Sequence, residues 1–238
     1  VNALINKKVN FQDLGIKDYQ PSWDYQEELL KQNLDIKIHN REHPENLKET
    51  NNHLLFVEHP HVYTLGKSGH ESNLLANENK LKEIQATYVK VNRGGDITYH
   101  GFGQIVGYPI LDLENFYTDI HRYMRDLEEV IIRTIAEYGL KGERSPGETG
   151  VWFDVGKPYA RKICALGVKA SRWVTIHGFA LNVNTDMRYF DYIIPCGISD
   201  KQVTSMKREL ETEVDYEEVK EKIKKHFADV FGCELFYK

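Results

Sequence analysis

Residues 161–184 read RKICALGVKASRWVTIHGFALNVN, two runs rich in β-branched and aromatic residues that meet at Ser171-Arg172. GVWFDV, residues 150–155, precedes them, so between Gly150 and Asn184 strand-like runs follow one another with short breaks and no helical segment. That arrangement predicts antiparallel pairing. Further strand-like runs lie upstream: HLLFVEH (53–59), ATYVKVN (86–92) and QIVGYPILDL (104–113).

Three segments carry the helical period instead. Trp23, Leu29, Leu30 and Asn33 follow Pro21-Ser22, with Ser22 placed to cap the helix. Ile120, Met124, Leu127, Ile131 and Ile135 step by four, three, four and four until Gly139. Near the C-terminus, Tyr216, Val219, Ile223, Phe227 and Val230 follow Asp215 and Glu218 at capping-box spacing, and Gly232 closes the run. The expectation is an α+β fold in which a mixed, largely antiparallel sheet is flanked by helices.

Composition narrows the function classes. The 238 residues are 41% apolar and 28% charged, ordinary for a globular protein, with a net charge of −5. A general nucleic-acid binder needs an excess of Lys and Arg, so that class is set aside while a local basic patch stays open. No run approaches the roughly 18 apolar residues of a membrane span, and VNALINKKVNFQDLG lacks a signal-peptide core, so a cytoplasmic protein without a membrane partner is expected. No repeat, low-complexity tract or long linker divides the chain.

Two nucleotide motifs fail. LGKSG (65–69) ends like a phosphate-binding loop, but the first glycine of that motif would fall on His61. GFG (101–103) begins a dinucleotide fingerprint whose last glycine would fall on Val106. His59 and His61 form an HxH that would face one side of a strand, with His70 and His100 downstream. No HExxH and no cysteine or carboxylate at zinc spacing accompanies them, so no metal is expected.

The stretch NRGGDITYHGFGQ (92–104) mixes four glycines with polar side chains between two strand-like runs, where binding residues are often displayed. The three cysteines, Cys164, Cys196 and Cys233, fit neither a disulfide framework nor a zinc site. Cys196 stands between Pro195 and Gly197 in IIPCGISD, a setting that leaves room at the sulfur. A thiol nucleophile needs a nearby cation, and Lys162 is a candidate. Cys164, two residues on, would share the direction of Lys162 and competes for the role; the proline-glycine setting favours Cys196.

Taken together, NRGGDITYHGFGQIVGYPILDL, RKICALGVKASRWVTIHGFALNVN, IIPCGISDKQVTSM and the upstream EHPHVYTLGKSG resemble the lipoyl(octanoyl) transferases. The resemblance implies the catalytic-domain fold of the biotin and lipoate protein ligases, over residues 1–238 as a single domain. It implies octanoyl-acyl carrier protein as donor, and as acceptors the lipoyl domains of 2-oxoacid dehydrogenase E2 subunits and glycine cleavage H protein. No cofactor is implied. Cys196 would be the acyl-thioester nucleophile and Lys162 the lysine that tunes it. Acyl-substrate contacts would come from Arg93, Gly94, Gly95, Asp96, Ile97, Thr98, Tyr99 and His100. Two further blocks, Ala165, Leu166 and Gly167, then Gly178, Phe179 and Ala180, would complete them.

One departure is visible: YHGFGQ carries Phe102 where the family has proline, which puts the loop's rigidity or the pocket's shape in question. Two enzymes of other kinds compete with this reading. An ATP-dependent lipoate or biotin protein ligase shares the implied fold but needs no cysteine. A Cys-His thioester hydrolase would use His100 or His177 as base, and a catalytically silent binding module is the third alternative. To meet an acidic carrier protein, a basic patch of Lys157, Arg161, Lys169 and Arg172 is expected near the entrance.

Overall fold

The structure is a computed structural model that describes residues 4–194 and 202–237. Its strands are β1 (Lys8–Ile16), β2 (Asn52–Glu58), β3 (Val62–Leu65), β4 (Thr87–Lys90), β5 (Ile97–His100), β6 (Gln104–Ile110), β7 (Val151–Phe153), β8 (Arg161–Ser171), β9 (Val174–Asn182), β10 (Gln202–Val203) and β11 (Glu234–Tyr237). The α-helices are α1 (Tyr19–Glu42), α2 (Glu78–Glu83), α3 (Ile120–Ala136), α4 (Met206–Leu210) and α5 (Tyr216–Phe231).

The opening stretch folds as the hairpin of β8 and β9, in register from Cys164 opposite Leu181 to Ser171 opposite Val174. Arg172 and Trp173 between them both have positive φ, the type I′ pattern that matches the twist of the strands, here without the usual Asn-Gly. The hairpin sits in a sheet of order β10-β8-β9-β6-β2-β1-β11, with β7 also on β8. From β7 through β8, β9 and β6 to β2 every pair is antiparallel; β2, β1 and β11 are parallel to one another, as are β10 and β8. A second sheet, β4-β3-β5, is built from short strands.

Alternation sends successive side chains to opposite faces of the main sheet. Leu54, Phe56, Ile105 and Leu181 meet Leu127, Ile131, Ile223 and Phe227 of α3 and α5. Leu55, Val57, Val106 and Tyr108 pack instead with Leu29 and Leu30 of α1. Covered on both faces, β6 and β9 are buried along their whole length. The residues of β3 and β5 join Phe190 and Ile193 in a separate apolar cluster.

Capping fixes two of the helices where the sequence places them. Asp119 Oδ1 accepts from Arg122 N at 2.9 Å, and Asp215 Oδ1 accepts from Glu218 N at 3.1 Å. Gly232 ends α5 at φ +57°. Helix α1 begins earlier than Ser22. Tyr19 opens it, Pro21 lies in the first turn where its missing N–H would have no partner, and the buried Ser22 Oγ donates to Asp18 O at 2.9 Å. The stretch 92–104 is likewise not one connection: residues 97–100 form β5, paired with β3, and only 92–96 and 101–103 are loop. Among the described residues no helix is long and apolar enough to cross a membrane.

Gly178 is required by strand packing. A Cβ there would lie 2.1 Å from Gly107 O and 2.6 Å from Pro109 Cδ on β6, and backbone cannot yield as a side chain can. Gly178→Ala is expected to cost about 1–3 kcal/mol, read as a lower urea midpoint. An unchanged midpoint contradicts this packing.

Candidate active site

A cleft enclosing about 980 Å³, part of it open to solvent, lies between the second sheet and the face of the main sheet that α1 covers. Ala165, Leu166 and Gly167 of β8, Gly178, Phe179 and Ala180 of β9, and Arg93, Gly95, Asp96, Ile97, Thr98 and His100 all line it, as does Lys162. Gly94 and Tyr99 do not. Gly94 faces the sheet, and Tyr99, fully buried, donates or accepts at His61 Nδ1 at 2.7 Å in the core of the second sheet. Cys196 lies outside the described residues; Gln202 and Val203, which follow that segment, line the cleft, as does Phe190 before it.

One wall is the loop 92–96, held by backbone on both sides. Gly94 N donates to Val168 O at 3.0 Å, while Gly66, Lys67 and Ser68 donate to the carbonyls of Asp96, Arg93 and Gly95 at 3.1, 3.0 and 3.1 Å. The amides of LGKSG are therefore committed to protein carbonyls, which is the physical reason this stretch is no phosphate cradle. A Cβ on Gly167 would meet Gly94 O at 2.8 Å, so the glycine is what lets the loop land on the sheet. Arg93, only 8% exposed, donates through Nη2 to Thr64 O and Oγ1 at 2.8 and 2.9 Å, and through Nη1 to Gly94 O at 2.9 Å.

The cleft's histidines are held in fixed tautomers. Gln104 Nε2 donates to Tyr99 O and Asn182 Oδ1, so its Oε1 is the acceptor for His100 Nδ1–H at 2.8 Å. Asn92 Nδ2 donates to Glu27 Oε1, so Asn92 Oδ1 accepts from His177 Nε2–H at 2.7 Å. Burial lowers the pKa of both rings to about 3. His59, buried beside them, donates from Nδ1 to Lys17 O and accepts at Nε2 from Tyr108 OH, each at 2.7 Å, and burial lowers it to about 4. At neutral pH such rings are poor proton acceptors, far from the value a general base needs. His59 and His61 also fall in the connection after β2 rather than on a strand, and they have separate partners. Among the described residues no cluster of metal-ligating side chains occurs.

Lys162 is half-buried, with Nζ 4.6 Å from the centre of the Trp152 ring. Its backbone is pinned by pairing with Val203 and by Thr204 N donating to Lys162 O at 2.9 Å. Cys164, by contrast, is fully buried in the core and absent from the cleft, and burial pushes its thiol pKa up. It is no competitor for the nucleophile. Burial also raises Cys233, to about 12.

The expected basic patch does not form. Arg161 and Lys169 are eight residues apart on β8, about 26 Å along the strand. Arg161 donates to Glu209 Oε1 and Oε2 at 2.6 and 2.5 Å, and Lys169 to Glu27 Oε1 at 3.2 Å. Arg172 sits at the far hairpin turn. Phe102 lies outside the cleft, 42% exposed and edge-on to His61, whose ring stacks on Tyr189 at 4.0 Å. Phe102 is not among the residues that line the cleft. Sequence reasoning missed Tyr19, Tyr108, Trp152, Asn182 and Gln104 as cleft residues. Alternation from Gln104 through Val106 to Tyr108 was a usable signal; nothing local marks Tyr19.

Residues 18–228 match the family described as the lipoyl protein ligase A/B catalytic domain. An octanoyltransferase of Christiangramia forsetii is 64% identical over 234 residues, 98% of this chain and 100% of its own. That of Flavobacterium psychrophilum is 66% identical over 230 residues, 96% and 99%. A solved bi-partite lipoate protein ligase from Thermoplasma acidophilum shares the fold at TM-score 0.67 and 14% identity, over 99% of this chain and 87% of the other.

The three buried histidines make stability depend on pH. Their folded-state values lie below the ordinary 6.5, so the unfolded chain binds the extra protons. Their contribution is complete above pH 6.5 and is lost as pH falls from there toward 3–4. Urea unfolding is expected to show a loss of at least about 2 kcal/mol between about pH 7.5 and about pH 5. A flat profile over that range would mean that the rings are not held neutral.

Proposed function

We propose a donor, an intermediate and an acceptor for this chain from the premise that it belongs to the lipoyl protein ligase A/B catalytic family and is an octanoyl-transferring acyltransferase. The octanoyl group comes from the thioester of acyl carrier protein, rests on Cys196, and passes to a lysine of a lipoyl domain, in 2-oxoacid dehydrogenase E2 subunits or glycine cleavage H protein. Residues 1–238 act as one catalytic unit in this reading. The observation that carries it is that one cleft unites Lys162 with Arg93, Gly95 and Asp96 of the 92–96 loop, Ile97, Thr98 and His100 of β5, residues 165–167 and residues 178–180. Its lining combines the apolar side chains of Val106, Ala180, Ile97 and Phe190, fit for an alkyl chain, with Lys162, fit for a reacting end.

The chemistry balances without a nucleotide. Transfer between thioesters is nearly even in free energy and thioester to amide runs downhill. The Cys196 thiolate, favoured by the Lys162 ammonium, attacks the octanoyl carbonyl. The carrier's thiol leaves and takes a proton from Lys162, which is then neutral. The acceptor lysine, entering as free amine, attacks the acyl-enzyme and gives its proton to Lys162, while Cys196 leaves as thiolate and the starting state returns. His100 and His177, with pKa values of about 3, take no part as bases, which argues against the Cys-His hydrolase.

Cys196→Ala is expected to abolish octanoyl transfer, measured as octanoylated lipoyl domain; near-normal turnover would exclude the covalent route. Lys162→Ala is expected to lower the rate at least about 100-fold and to move the midpoint of Cys196 alkylation up by about 1–2 pH units. An unmoved alkylation profile would separate Lys162 from the thiol.

A further inference from the structure

His177 is a residue the mechanism above leaves without a task. It lies inside β9, between Ile176 and Gly178, which stay in register with Lys169 and Gly167. Yet its φ is +62°, a conformation that side chains other than Asn, Asp and His rarely take. Such a residue persists in a strand only where its surroundings fix it. Two bonds do so. Its backbone N–H donates to Gln26 Oε1 of α1 at 2.8 Å, and its ring donates to Asn92 Oδ1 at 2.7 Å. Asn92 opens the 92–96 loop and donates to Glu27, the neighbour of Gln26. One residue, 1% exposed, thus joins sheet, helix and loop through its backbone and its ring.

Its place along the cleft gives the junction a consequence. On β9 the lining runs from Asn182 back to His177 and stops there. Val168, opposite His177, is six residues from Lys162 along β8, roughly 20 Å. His177 therefore stands at the end remote from the reacting group. We propose that His177 is a positioning residue that closes this end of the cleft by holding the 92–96 loop to the sheet through Asn92, and so sets the longest acyl chain the enzyme takes.

The inference rests on the acyl reading of the cleft, so its test has one arm that does not. His177→Asn keeps a residue that tolerates the left-handed backbone but falls short of Asn92, and Asn92→Ala removes the same bond from the loop side. In each variant, amide exchange at Gly94 and Gly95 reads the clamp, and kcat/KM for octanoyl- against dodecanoyl-carrier protein reads the closed end. His177→Asn and Asn92→Ala are expected to speed exchange about tenfold, the scale of one buried hydrogen bond, and to shift the ratio about tenfold toward dodecanoyl. A role in folding alone would lower both substrates together and leave the ratio fixed, which overturns the selectivity claim; unchanged exchange in both variants overturns the clamp. Should His177→Asn not fold, Asn92→Ala reads the same bond. Wild-type protein that transfers no octanoyl group would defeat the acyl reading while the exchange arm still decides the clamp.

Discussion

The site depends on a close approach of backbone to backbone. Gly94 N reaches Val168 O at 3.0 Å because Gly167 has no Cβ, whose place would lie 2.8 Å from Gly94 O. A buried amide left unpaired costs about 1–3 kcal/mol, so this bond, together with that of Asn92 to His177, favours the loop resting on the sheet. With the loop down, Arg93 is enclosed and Thr64 joins it to the second sheet. The space left between the two sheets is the cleft.

A second constraint keeps the histidines around that space neutral. His59, His100 and His177 each have a ring nitrogen committed to a protein acceptor, and burial holds all three uncharged. The lysine that lines the cleft, Lys162, stands against Trp152 at the other end from His177.

The hairpin, the two capped helices and the blocks of cleft residues were legible in the sequence because each carries a local signal. Residues 161–171 read as a strand and form one with the same bounds; Asp215 and Gly232 mark the ends of α5. β3 and β5 were not legible: each is a four-residue strand beside glycines, Gly66 after β3 and Gly94, Gly95 and Gly101 around β5, so residues 97–100 read as loop, whereas the equally short β4 and β7 lie in longer apolar runs. The start of α1 was misplaced because a proline in the first turn looks like a boundary. Of the site, Lys162 and the stretch 93–100, all but Gly94 and Tyr99 of it in the cleft, were named from sequence, while the basic patch failed. Spacing along β8 puts its members far apart, and two of the four are held in ion pairs. Which glycines packing requires is a question of tertiary neighbours: Gly167 and Gly178 line the cleft and also lie against backbone that a Cβ would strike.

The central claim is that an octanoyl group passes through Cys196 beside Lys162 with no nucleotide. It is tested most directly by intact-mass spectrometry of the protein mixed with octanoyl-acyl carrier protein in the absence of ATP, followed by addition of an apo lipoyl domain. The account predicts one octanoyl increment mapping to Cys196, which then leaves the protein and appears on the domain's lysine. No increment, with octanoylation of the domain appearing only when ATP and free octanoate are supplied, would contradict it.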